Sequence, residues 1–133
     1  ANAQMARNLF QLSYLFNQSD WRVMSDRMLA GAMDRVDYWP SATHWAGLLL
    51  WRTEPHREVV ITGDKEAIAA ARCSLQTAYR PQILYAGGTD EALPALEHRQ
   101  LGGLNIFVCE DGACELPVTS AEEAVQAVAA RRR

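Results

Sequence analysis

Cysteine is scarce in this chain: three residues in 133, too few for the disulfide framework of a small secreted domain. A zinc site needs four ligands, and Cys73, His56 and His98 supply no second close pair beside Cys109 and Cys114. No repeated-glycine phosphate fingerprint is present. Gly63 stands alone before Asp64, whose charge would repel a phosphate, so Asp64 reads as a helix cap. An excess of positive charge is also missing. Thirteen Lys and Arg against 16 Asp and Glu give a net charge of −3, which excludes a basic field for nucleic acid or an anionic membrane. The apolar run Leu48 to Trp51 falls far short of the ~20 residues that span a bilayer. The chain holds no internal repeat or low-complexity tract.

What is present is an ordinary globular composition, 49% hydrophobic and 22% charged, long enough for a real core. The opening residues are helical in pattern rather than basic and then apolar, so no secretory signal is expected and a cytoplasmic protein is. The pattern begins abruptly at Ala1, as in a processed chain or a piece of something longer. The terminal Arg131-Arg132-Arg133 reads as a solvated end.

Periodicity predicts three helices first. Met5, Leu9, Leu12 and Phe16 form a stripe over residues 2–16. A second helix, capped by Ser19 or Asp20, runs to about Asp37 with Trp21, Met24, Met28, Ala32 and Val36 on one face. Pro40 suits the first turn of a third helix through Trp51, apolar nearly all round. The character changes near Glu54. A strand over 57–62, an Ala-rich helix over 65–78 and a strand over 82–85 predict a right-handed parallel βαβ unit. Gly87-Gly88 and Gly102-Gly103 read as loop hinges. A third strand over 104–109 leads into Asp111-Gly112, a type I′ hairpin signal, and Thr119 or Ser120 caps a last helix to Ala130. The expected fold is mixed α/β: a helical segment, 1–53, then a small three-layer-type α/β module, 54–133, with a parallel βαβ core and a C-terminal helix.

The segments R-E-V-V-I-T-G-D (57–64) and I-F-V-C-E-D-G-A-C-E-L-P-V-T-S-A-E-E (106–123) resemble the C-terminal region of the uncharacterised thioredoxin-domain-containing family that includes a spermatogenesis-associated protein. The resemblance implies a longer parent, with an N-terminal thioredoxin-like domain and a six-hairpin (α/α)6 barrel similar to glycosidases and epimerases. Residues 2–51 resemble the closing barrel helices and residues 57–130 the terminal α/β piece. The thioredoxin-like domain, its redox motif and most of the barrel have no counterpart here.

The chemistry that remains is sparse. With Asp111-Gly112 as the turn, Cys109 faces Cys114 in a non-hydrogen-bonded pair, Cα atoms about 4.5 Å apart, at the short end of what a disulfide allows. Two reduced thiols packing as small apolar side chains is the leading expectation, a disulfide or redox switch the second, a metal the last. His44, Asp37 and Trp39 are weaker candidates for lining a sugar-type pocket. Asp34 and Asp37 make a carboxylate pair without an opposing wall. The tryptophans and Leu48 to Leu50 present more apolar surface than neighbouring helices cover, so the remainder of a parent polypeptide or a second copy is expected against them. No cofactor, metal, nucleic acid or membrane is expected. The role expected is that of a non-catalytic structural module, with thiol redox work at Cys109 and Cys114 or a carbohydrate-binding, epimerase-like fragment as alternatives.

Overall fold

The computed structural model describes residues 1–130, the side chains of Trp39 and Ser41 excepted; the expected basic tail 131–133 lies outside them. The chain divides into two compact units, Ala1–Pro55 and a second from His56 onward.

In the first unit, α1 (Asn2–Leu15) and α2 (Ser19–Met33) are followed by a 3-10 turn, Trp39–Ala42, and α3 (Thr43–Thr53). The buried face of α1 is Ala3, Ala6, Phe10, Ser13 and Tyr14. The stripe expected from periodicity is largely outside: Met5 is 55% exposed, and Leu12 and Phe16 are exposed too. Small residues explain the difference. The Ser25 hydroxyl of α2 donates to the Ala6 carbonyl at 2.7 Å, and this close approach puts Ala6 and Ser25 in the interface and the larger side chains beside it. Among the described residues Phe10 is the largest fully buried side chain, its ring 5.4 Å from Tyr14 and 6.0 Å from Trp51, both edge-on. Arg52 of α3 grips Asp26 of α2 through two contacts, 2.8 and 3.1 Å.

The caps of α2 differ from expectation. Gln18 occupies the N-cap without a side-chain bond, while Ser19 and Asp20 lie inside the first turn. There the carboxylate of Asp20 still meets the positive end of the helix dipole. The helix stops at Met33 rather than Asp37. On α3, Leu48 and Trp51 are buried but Leu50 is 67% exposed.

The second unit is a four-stranded mixed sheet in the order β2-β1-β3-β4. Strand β1 (Arg57–Thr62) runs parallel to β2 (Ile83–Gly88) across helix α4 (Lys65–Leu75), and antiparallel to β3 (Asn105–Glu110), which turns into the short β4 (Ala113–Cys114). Asp64 caps α4 as expected, accepting from the Ala67 amide at 2.9 Å. Ser120, not Thr119, caps α5 (Ala121–Ala130) through the Glu123 amide. At the β3–β4 turn, Asp111 and Gly112 have φ of 50° and 83°, the two positive values of a type I′ turn.

Alternation along the central strands sorts the sheet into two faces. Val59, Ile61, Ile106 and Val108 face α4 and α5, where Leu75, Ala124 and Val128 close the larger core. Val60, Phe107 and Cys109 face the other way, against Leu96 of a 3-10 turn, Pro94–Leu96, which with its flanking loop forms a thin third layer. Strand β2 continues through Gly87-Gly88, read from sequence as a hinge. A Cβ at Gly88 would lie 2.7 Å from the Leu96 side chain, so this glycine serves close packing rather than bending.

Candidate functional site

The thin-layer face of the sheet carries the chemistry. Cys109 and Cys114 are joined in a disulfide, Cα atoms 3.9 Å apart. In place of the two free thiols expected first, the structure holds a disulfide, in the register that the sequence predicts. The Glu115 amide donates to the Val108 carbonyl at 3.2 Å, so the next pair, Cys109 and Cys114, is of the close, non-hydrogen-bonded kind. Cys109 is fully buried at 0%, whereas Cys114 is exposed. Cys73, the remaining cysteine, is free and exposed on α4.

Directly across β1 from Cys109 stands Glu58. It shares its face with Val60 and Thr62 and is only 6% exposed. One carboxyl oxygen, Oε1, is buried with no hydrogen-bond partner; the carboxyl group also accepts from the backbone N–H of Gly112 in the hairpin turn. Burial pushes the Glu58 carboxyl above the usual carboxylate range, and the charge of Arg99 only partly opposes it. Nearby Asp111 adds a small push in the same upward direction.

Arg99 is the third member. Its Nη2 lies 3.1 Å from Cys114 Sγ, its guanidinium sits 5.4 Å from the centre of the Phe107 ring, and its backbone carbonyl accepts from the Thr62 hydroxyl at 2.8 Å. Partial burial lowers its pKa, with Glu58 acting in the opposite direction. The turn is fastened at its base, where the Asp111 amide donates to the His56 carbonyl at 2.8 Å and the His56 amide to Asp111 Oδ1 at 3.0 Å. On the opposite sheet face Arg57 and Glu110 pair at 3.5 Å, so their charges do not enter the cysteine side.

A carboxyl with a raised pKa links protonation to stability. The folded Glu58 holds its proton to higher pH than the unfolded one. Its contribution is therefore complete below the unfolded pKa and is lost as pH rises through the folded value. Urea unfolding between pH 4 and pH 8 should show Glu58→Gln gaining on the native chain as pH rises. A constant difference across that range would contradict the assignment.

Of the weaker sugar-type candidates, Asp37 and His44 do not share a cavity. Asp37 lines an open cavity of about 630 Å³ in the first unit, with Arg27, Arg35, Tyr38 and Trp45. His44 is exposed on α3 and is not in that lining; the side chain of Trp39 lies outside those described. Among the described residues no three His, Cys, Asp or Glu side chains converge to hold a metal, and no helix is long and apolar enough to cross a membrane.

Sequence reading found the cysteines and missed Glu58 and Arg99. A signal for Glu58 existed: it has the parity of Val60 and Thr62 in a strand whose two faces are both covered. Arg99 has none, because only the fold brings its loop onto β1 and the hairpin. Comparison with known proteins finds no family model, no curated protein and no solved structure that matches the chain.

Proposed function

We propose that the second unit carries a thiol–disulfide couple, Cys109 and Cys114, serving as a redox-responsive element of a larger protein. The observation that supports it is the convergence on one sheet face of a half-exposed disulfide, a cation at its outer sulfur and a buried carboxyl opposite its inner one. A disulfide kept only for stability needs neither of the last two. Arg99 beside Cys114 favours a thiolate there, and Glu58 provides a titratable proton near Cys109. In the cytoplasmic setting expected from the sequence, such a bond is regulatory rather than permanent. Equilibration in dithiol redox buffers tests this. A reversible two-electron transition in the native protein is expected; a bond that stays closed until the chain unfolds would contradict it.

A structural-module role for the first unit has its own support. Met5, Leu12, Phe16, Val23, Met24 and Leu50 are all exposed apolar side chains there, whereas Leu48 and Trp51, expected among the uncovered ones, are buried; exposed apolar side chains that run together mark a surface for a partner. This agrees with closing helices of a six-hairpin barrel, covered by the rest of a parent polypeptide or by a second copy. A native gene product no longer than this chain, monomeric in solution, would rule that out. Of the groups expected in a carbohydrate pocket, Asp37 lines the cavity of the first unit, His44 does not, and the side chain of Trp39 lies outside those described; nothing further favours that reading.

A further inference from the structure

Resting on the redox reading above, we infer that the couple is entered at Cys114 and that Glu58 is the acid that protonates Cys109 as it leaves. Access decides the first half. Exchange proceeds by thiolate attack on one sulfur of the disulfide. Cys114 is exposed on a two-residue edge strand, whereas Cys109 is fully buried between β1 and the Leu96 layer. An incoming thiolate therefore reaches Sγ of Cys114, and Cys109 is the leaving group.

Charge decides the second half. A thiolate released at Cys109 would appear in an apolar layer of Val60, Leu96 and Phe107, where an unpaired charge is costly. Solvent is not at hand to protonate it. Glu58 is its cross-strand neighbour, and the Glu58 carboxyl meets the Gly112 amide inside the turn that the disulfide encloses. The groups facing Glu58 are Arg99 from the loop, Asp111 and Gly112 from the turn, Cys109 from β3 and the apolar Leu84 from β2. Of these, Arg99 alone is cationic, and its Nη2 is engaged at Cys114 Sγ.

The step balances with a dithiol as reductant. One thiolate of the dithiol bonds to Sγ of Cys114. The bond between the two cysteine sulfurs breaks, and its electron pair goes to Sγ of Cys109, which takes the proton of Glu58. The second thiol of the reductant then loses its proton, which restores Glu58 through solvent. It closes the reductant's own disulfide and releases Cys114 as a thiolate beside Arg99. Two electrons pass from the dithiol to the cysteine pair.

Two measurements on the full chain test this. The first follows reduction by dithiothreitol from pH 5 to pH 8, with each rate divided by the fraction of reductant present as thiolate. The native protein should lose corrected rate as Glu58 ionises. Glu58→Gln should be slower by about 10²-fold at pH 5, the low end of general acid catalysis, and level with pH. Superimposable profiles would overturn the proton-donor role. The second needs no variant. A monothiol, 2-mercaptoethanol, is added briefly and quenched with acid, and tandem mass spectrometry locates the adduct. An adduct on Cys114 is expected, and one on Cys109 would overturn the inference while leaving the redox reading standing. A starting protein with both thiols free would overturn that reading and the inference with it.

Discussion

Cys114→Ser should abolish thiol–disulfide exchange completely and leave a folded protein that is moderately less stable. The side chain is exposed at the hairpin edge, so serine opens no cavity. The stability lost is that of a short closed loop, about 2 kcal/mol on the chain-entropy account. The turn itself should persist, because the two Asp111–His56 hydrogen bonds, one to the backbone and one to the Asp111 carboxylate, and the two positive φ values do not depend on the sulfurs. Cys109→Ala should lose exchange equally and stability further, since it also empties a fully buried position beside Val60 and Leu96. Paired urea titrations with a free-thiol assay would check both. Equal stability for the two variants would mean that Cys109 is not packed as described.

Ile106→Ala should have the largest effect on folding in the second unit. Ile106 is fully buried on β3 opposite Ile61, within the core that α4 and α5 close. Truncation of this kind costs about 2 to 5 kcal/mol, a large share of the roughly 5–15 kcal/mol by which a domain is stable. The strand it belongs to also carries Cys109 three residues on, so the site should fail with the sheet. Circular dichroism on heating is the check: a transition lowered by many degrees is expected, and a shift too small to resolve would contradict the packing.

The α/β half of the fold was legible because each local signal was strong and mutually consistent. The run Val59 to Ile61 could only be a buried strand, Asp64 could only end it and start a helix, and Asp111-Gly112 fixed the register that brings the cysteines together. The helical half misled where size and burial part company. Ranking by hydrophobicity put Met5, Leu12 and Phe16 inside, while close helix approach gave that place to Ala3, Ala6 and Ser25. The Gly87-Gly88 pair misled in a similar way: a shortage of space and a need to bend look alike in sequence. For the site, the cysteines declare themselves by type and spacing. Glu58 was missed because the strand was read for its apolar residues alone, and Arg99 because it lies far along the chain.

The most direct measurement is a count of alkylated thiols by intact mass. Native protein held at a series of dithiol redox potentials would be quenched in acid, then denatured and treated with iodoacetamide. The account predicts one adduct, on Cys73, at the oxidising end and three at the reducing end. A transition retraced in both directions should lead directly from one to three. Three adducts at every potential, or one adduct persisting until the protein is unfolded, would contradict it.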